Sequence, residues 1–462
     1  MSACTLKDVL LATQGSVLGS ANDLQFDRVG TDTRTTTSGD LFVALRGQRF
    51  DGHRFLAEAA RKGARAAMVD SSSDLGAGLP LIVVKDTISA LGDLASTLAR
   101  GKKASRLAVT GSNGKTTTKE LLRAALSAKG RTVASHKSFN NFVGVPLTLL
   151  QIEPGTDFAV LELGTNHRGE IARLSALASP WVGVITNCGQ AHVGPLGGVQ
   201  GVVEEKGALL DALPGDGVAV LNADDASIDA FKERAHCRVV TFGIRQKADY
   251  RAVDIRFDLR RLCFHLQGER VFVPLGGCHN VYNSLAAIAA AEAVGVSRAA
   301  AIRSLRRIEG PPMRLTPLRT RRFCIIDDCY NANPGSVEAA FRTLAAVHSQ
   351  GRKVVVLGDM LELGEQSEEL HRAAGRWVSL LPLDLLVAVG RFSSFVREGA
   401  LLTGFPEDRV RVCADARSAA RLFEDEPLLR SGDTILVKAS RSMTLEVLVE
   451  ALQLLGEKAD AV

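Results

Sequence analysis

The sequence predicts an α/β protein of three domains: a small N-terminal α/β module, a central domain on a mostly parallel sheet, and a C-terminal doubly wound domain. Three observations predict it. A chain of 462 residues exceeds the size at which one hydrophobic core keeps growing, so two or three domains are expected. Apolar runs alternate with helical patterns through two long stretches, as in βαβ units around a sheet buried on both faces. A basic, glycine-containing link near Lys103 and the segment EGPPMR before residue 317 divide the pattern into zones.

The first zone, residues 1–86, holds the strand-like LFVAL, the amphipathic HRFLAEAARKG, then AAMVD and LIVVKD. The segment ISALGDLASTLARGKK has helical apolar spacing at Ile88, Leu91, Leu94, Ala95 and Leu98 and gives an expected linker helix over residues 87–102. The central zone, 103–317, alternates RLAVTG, FAVLELG, WVGVITNCG, GVAVLNADD and RVVTFG with helices. It then turns to alternating strands between Tyr250 and Pro274, before HNVYNSLAAIAAAEAVG and SRAAAIRSLRRI read as helices. The last zone, 318–462, repeats the alternation through FCIIDD, KVVVLGD, LLVAVG, RVRVCAD and TILVKAS, which predicts a Rossmann-like doubly wound domain.

Composition narrows the function classes. With 46% hydrophobic and 23% charged residues the chain has the balance of an ordinary globular protein. A net charge of +5, from 56 basic and 51 acidic residues, is too small an excess to indicate a nucleic-acid partner, though it suits a polyanionic small substrate. The eight cysteines form no C-x-x-C pair and no dense framework, so reduced thiols are expected. The N-terminus MSACTLKDVL lacks a basic start followed by an apolar stretch, and no uncharged apolar run is long enough to span a bilayer. A cytoplasmic protein without stable membrane insertion is the expectation.

The strongest local signal is RLAVTGSNGKTTTKELLRAAL, an apolar strand that enters a glycine-containing loop and leaves as a helix. Gly111 and Gly114 let backbone N–H groups approach phosphate oxygens, with Ser112 and Asn113 between them. Lys115 supplies a point charge, Thr116 offers a hydroxyl to Mg²⁺, and the helix N-terminus at Thr117 favours anions. Position 109, where the general phosphate-loop pattern begins with glycine, is Val109, and Gly111 takes over at closer spacing. The alternative is a tight strand-to-helix turn with a surface lysine. Taken alone the loop indicates a nucleotide and not a reaction, and the expectation for the central domain is a P-loop ATPase fold.

Glu162 ends the strand FAVLE at the sheet edge that would adjoin this loop, where a hard cation needs oxygen ligands. His192 follows WVGVITNCG at the same edge, and Lys206 opens KGALLDAL. Read singly, such residues are more often a capped loop residue, a surface histidine and a solvated lysine.

Together the motifs resemble the Mur ligases of bacterial cell-wall synthesis, over nearly the whole chain. TGSNGKTTTKE, SFNNFVGVPLTLL, ELGTNHRGEI, HNVYNSLAA and IIDDCYNANPGSVEAA followed by VVVLGDMLELGE are similar to that family's signatures, in the family's order. YNANP and GDMLELG point to the member that joins D-alanyl-D-alanine to UDP-N-acetylmuramoyl-tripeptide. The resemblance implies an ATP-dependent ligase with two Mg²⁺ ions, working through an acyl phosphate and acting as a monomer.

The resemblance also implies roles. Lys115 would contact the β- and γ-phosphates, Thr116, Glu162 and His192 would serve magnesium, and Lys206 would be carbamylated and so become an anion. Asn280, Arg314, Asp328, Asn331 and Asn333 would line the nucleotide site. Thr33, Arg34, Gly47 and His53 are candidates for the uridine diphosphate, Asn140 and Asn141 for the sugar-peptide, and Lys438, Ser440 and Arg441 for the incoming dipeptide. The chain departs from the family's pattern at Cys329, where serine is usual, at HVGPLGGVQ after His192, and at the alanine of VKASR. A folylpolyglutamate-synthase-like ligase, normally without the uridine-nucleotide module, and a nucleotide-gated binding protein that makes no product are the alternatives.

Overall fold

The computed structural model describes residues 3–19, 23–47, 50–70, 78–189 and 193–457. Three main sheets follow one another along the chain. The first has five strands in the order Ser16–Leu18, Leu81–Val83, Ala66–Val69, Asp40–Val43, Arg28–Gly30, with only the Ser16–Leu18 edge antiparallel.

The central sheet has nine strands. Six are parallel, in the order Thr132–Ala134, Phe158–Glu162, Ser105–Thr110, Val182–Ile185, Val218–Asn222, Arg238–Gly243. Tyr250–Phe257 extends them in parallel, and Leu262–Leu266 and Glu269–Val273 close the edge as antiparallel strands. Strand side chains alternate between two cores: Leu107 and Val109 pack with Leu121 and Leu285 on one face, while Ala108 joins Leu149, Leu174 and Leu209 on the other. Burial on both faces is why these strands read as continuous apolar runs.

The third sheet is doubly wound, in the order Thr316–Arg319, Cys324–Asp328, Thr434–Lys438, Lys353–Gly358, Leu385–Val389, Val410–Cys413, parallel except for its first edge strand. The helices Pro334–Ala346, Ser367–Leu380 and Ser393–Leu402 cover one face, and Ala416–Asp425 and Glu446–Glu457 the other. A boundary between 317 and 318 would cut the strand Thr316–Arg319, which pairs with Cys324–Asp328, so this sheet begins a little earlier than the sequence pattern suggests.

The linker helix, Thr87–Arg100, starts where the Asp86 carboxylate accepts the Ser89 N–H at 2.7 Å and stops at Gly101. It is not a free spacer. Leu91, Leu94 and Ala95 are buried in one cluster with Val9 and Ile82 of the first module and Leu149 and Leu174 of the central domain. Ser96 Oγ also donates to the Leu177 carbonyl at 3.0 Å.

Candidate active site

The carboxyl edge of the central sheet and that of the C-terminal sheet face each other across a cleft of about 890 Å³. This is where ligands bind in open parallel sheets, because strand ends and helix N-termini converge there.

The phosphate loop forms one wall. Gly114 caps the helix Lys115–Leu126 with a left-handed backbone (φ 81°), and a Cβ there would collide with the Asn283 amide, so glycine is required on both counts. The next strand's end shapes the loop: Asn187 Oδ1 accepts the Asn113 N–H at 3.0 Å, and Thr186 Oγ1 donates to the Asn113 carbonyl at 2.6 Å. Lys115 Nζ donates to the loop's own carbonyls, Gly111 at 2.7 Å and Ser112 at 3.3 Å. Burial, with Lys206 and Arg314 nearby, pushes Lys115 down to about 7 against the opposing pull of Glu162. A phosphate in this loop would restore its charge.

Glu162 is buried and accepts at Oε1 from Thr116 Oγ1 (3.2 Å) and Asn140 Nδ2 (2.9 Å), while its Oε2 is buried with no hydrogen-bond partner. An orphan carboxylate oxygen beside a threonine hydroxyl is a hard-oxygen donor set that fits Mg²⁺, which takes one or two carboxylates and completes its shell with phosphate oxygens and water. No group of three or more His, Cys, Asp and Glu gathers among the described residues. His192 lies outside the described residues.

Lys206 is 1% exposed, on the helix Val199–Asp211. Its neighbours in the EEK run separate: Glu204 is exposed, whereas Glu205 is buried and accepts the N–H groups of Gly169 (2.6 Å) and Ile171 (2.7 Å) at the start of Glu170–Ala178. A solvated lysine is therefore not what this run contains. The unusual HVGPLGGVQ segment has a local reason too. Arg168 donates from Nε and Nη2 to the Leu196 carbonyl at 3.0 and 2.8 Å, and a Cβ on Gly197 would meet its guanidinium.

The C-terminal domain supplies the opposite wall. Arg314 sits between Met313 (φ 59°) and Leu315 (φ 50°), two non-glycine residues in the left-handed region, a backbone held only when its surroundings enforce it. Here the Leu315 N–H donates to Asp328 Oδ1 at 3.1 Å and the Tyr330 N–H to the Met313 carbonyl at 3.2 Å. The guanidinium lies over the Tyr330 ring, 4.1 Å from its centroid, and Nη2 donates to Thr116 Oγ1 at 3.1 Å. Lys438, paired with Asp328 across adjacent strands, donates to its Oδ2 at 2.6 Å and to the Asn331 carbonyl at 3.0 Å. Ser440 Oγ accepts the Leu361 N–H at 2.9 Å, which fixes the GDMLELG loop at the cleft.

The cleft gathers most of the residues singled out from the sequence: Ser112 through Thr117, Asn140, Asn141, Glu162, Arg314, Asp328, Asn331, Asn333, Lys438, Ser440 and Arg441. Asn280 does not line it, because its amide donates to the Gly276 carbonyl (2.7 Å) and accepts from Asn283 (2.8 Å). Asn283 lines it instead. The sequence reading also missed His279, whose Nδ1 is buried without a partner and whose burial, with Lys438 nearby and Asp328 opposing, lowers its pKa to about 4. An HNVYN string whose first and last members face one site was the available signal.

Thr33, Arg34 and Gly47 lie apart from this cleft, at the carboxyl edge of the first sheet. Arg34 is exposed and paired with Asp32 at 2.6 Å. His53 is engaged at both ring nitrogens, Nδ1 with Asp51 at 2.7 Å and Nε2 accepting the Asp70 N–H at 3.2 Å, which gives it a role in holding this edge together.

Known proteins share this arrangement. The pattern of the Mur ligase middle domain matches residues 109–291, that of the Mur ligase glutamate ligase domain 313–441, and that of the Mur ligase family catalytic domain 25–98. The UDP-N-acetylmuramoyl-tripeptide–D-alanyl-D-alanine ligase of Bacillus subtilis is 36% identical over 428 residues, 92% of each chain, and that of Escherichia coli is 36% identical over 460 residues, 98% of this chain and 99% of that one. Among solved structures, MurF from Acinetobacter baumannii superposes with a TM-score of 0.89 at 33% identity over 98% of this chain and 99% of its own. MurF from Thermotoga maritima in complex with ADP gives 0.79 at 26% over 92% and 97%. The chain belongs to the Mur ligase family.

Proposed function

We propose that the protein is the ATP-dependent ligase that joins D-alanyl-D-alanine to UDP-N-acetylmuramoyl-tripeptide in peptidoglycan synthesis. The observation that carries this reading is the cleft itself, where a phosphate loop and the orphan Oε2 of Glu162 face Arg314, Asp328 and Lys438 of a second domain. A carboxylate does not acylate an amine at neutral pH, since it would have to expel oxide. Phosphorylation by ATP supplies a leaving group, and the acyl phosphate is then attacked by the dipeptide amine.

The residues divide that work. Lys115 and the N-terminus of its helix hold the phosphates against mutual repulsion. Thr116 and Glu162 would hold Mg²⁺, which when bound screens the charge between the phosphates and the substrate carboxylate. Asn140 and Asn141 face the sugar-peptide, and Arg314 orients the nucleotide from the hinge. Asp328, Asn331 and Asn333 complete the nucleotide wall, while Lys438, Ser440 and Arg441 receive the dipeptide. Thr33 and Arg34 bind the uridine diphosphate on the first sheet. Closure of the C-terminal domain keeps water from the acyl phosphate.

A carbamate on Lys206 would supply a second anion suited to a second Mg²⁺. The reading takes the protein to act as a cytoplasmic monomer; among the described residues no helix is long and apolar enough to cross a membrane. The test is mass spectrometry of the products from UDP-N-acetylmuramoyl-tripeptide, D-alanyl-D-alanine, ATP and Mg²⁺. The expected product is the pentapeptide conjugate, formed with one ADP and one phosphate. Phosphate release that ignores the dipeptide would overturn the reading.

A further inference from the structure

The helix that opens with Lys115 carries a second buried lysine one turn later. Lys119 has 0% exposure, and its ammonium donates to the Ser135 carbonyl at 2.6 Å, to the Lys137 carbonyl at 2.5 Å, and to Glu120 Oε1 at 2.9 Å. An ammonium has three N–H donors and no acceptor, so this one is saturated and has nothing left for a ligand. A buried charge is retained only where its partners satisfy it fully.

Two of the three acceptors belong to one loop, residues 135–141, that leaves the edge strand Thr132–Ala134. Lys137 has a left-handed backbone (φ 48°), and its carbonyl turns inward onto the ammonium. The same loop carries Ser138, Asn140 and Asn141 to the cleft. Ser138 Oγ lies 3.4 Å from Thr116 Oγ1, Asn140 Nδ2 donates to Glu162 Oε1 at 2.9 Å, and Asn141 Oδ1 accepts the Gly144 N–H at 2.9 Å. Lys119 therefore joins the element that holds phosphate to the element that presents Asn140 and Asn141.

We propose that Lys119 is a positioning residue for the ligation, setting the 135–141 loop against the phosphate helix so that the substrate carboxylate meets the nucleotide in line. The proposal rests on the functional reading above. The phosphate loop does not need Lys119 for its own shape, since that comes from Thr186, Asn187 and Lys115. Loss of the ammonium should thus separate the two substrates: the sugar-peptide suffers and the nucleotide does not.

The test compares K119M, which keeps the stem and removes every donor, with K119Q, which keeps two N–H donors and serves if K119M does not fold. K119M is expected to raise KM for UDP-N-acetylmuramoyl-tripeptide about tenfold or more and to lower kcat by up to about a hundredfold, the scale for an ångström of misplacement. ADP affinity, by calorimetry, should stay within about twofold. K119Q should fall between K119M and the parent, and amide hydrogen exchange over residues 135–143 should quicken in both. Unchanged KM and kcat in a folded variant, or a loss of ADP affinity in step with KM, would overturn the proposal. Absence of product from the unmodified protein would instead count against the functional reading, and the exchange and ADP measurements would still decide the role of Lys119.

Discussion

Asn113 and Asn333 pair amide to amide between the two domains: Asn333 Nδ2 donates to Asn113 Oδ1 at 2.8 Å, and Asn113 Nδ2 to Asn333 Oδ1 at 3.3 Å. Asn113 belongs to the phosphate loop. Asn333 is the N-cap of the helix Pro334–Ala346, and its Oδ1 also accepts the Ser336 N–H at 2.9 Å. One side chain thus starts a helix and latches a domain, with Arg314 to Thr116 as the other strap.

The two duties can be separated. Asn333→Asp keeps the cap acceptor but cannot donate to Asn113, so its melting temperature should stay close to that of the parent while kcat/KM falls. Asn333→Ala loses both, and should cost about 1 kcal/mol of stability for the cap alone besides the activity. Equal kcat/KM for Asn333→Asp and the parent would show that the pair does not govern closure.

The phosphate loop makes a simpler prediction. Lys115→Ala should lower turnover about a hundredfold or more, the scale for one electrostatic contact in a transition state, with little change in the fold because the side chain faces the cleft. Near-normal ligation would refute the assignment.

The same lysine couples nucleotide binding to protons. Its pKa near 7 in the ligand-free protein means that the amine is mostly neutral at about pH 8, whereas bound phosphates favour the ammonium and raise the pKa. Binding should therefore take up a proton there. Affinity for metal-free ADP should rise as pH falls towards about 7 and flatten below it, with a slope of at most about tenfold per pH unit. Calorimetry in two buffers of different ionisation enthalpy reads the uptake, which Lys115→Ala should abolish.

Much of this protein is legible in its sequence because the strands are buried on both faces and the phosphate loop is contiguous. A run such as RLAVTG needs only its immediate neighbours to be recognised. What escapes is whatever depends on the other side of the cleft. Asn280 and Asn283 are three residues apart with the same chemistry, yet Asn283 lies against Gly114 and lines the cleft while the Asn280 amide turns to the Gly276 carbonyl. Lys119 and Lys206 sit in charged runs that elsewhere would be solvated helix faces, yet both are buried because the 135–141 loop covers one and the core around Val202 and Val203 encloses the segment holding the other. The helix Thr87–Arg100 lies within the segment 87–102 expected for the linker, but that pattern does not reveal that it serves two cores.

That double service is testable. Leu91 is fully buried in the cluster shared by the first module and the central domain, so Leu91→Ala should cost about 2–5 kcal/mol. Scanning calorimetry should show the first module and central domain melting together, at a lower temperature than in the parent. A separate early transition confined to the first module would show that the helix does not couple them.

Lys206 carries the furthest-reaching prediction. An ammonium there would add positive charge beside Lys115, and burial pushes its pKa below the ordinary lysine value against the opposing pull of Cys188 and Glu205. Burial thus favours the neutral amine, the form that attacks CO₂, with release of one proton as the carbamate forms. The product is an anion with two oxygens, which suits a site for hard cations. With ¹³C-labelled CO₂, the protein should show one carbamate carbon that Lys206→Ala lacks. Lys206→Ala should lose most activity and regain part of it with added short carboxylic acids that fill the vacated anion site, a response that a purely structural lysine would not give. Full activity of Lys206→Ala in CO₂-free buffer would eliminate the carbamate and leave the ligase reading standing, because the phosphate loop takes its shape from Thr186, Asn187 and Lys115.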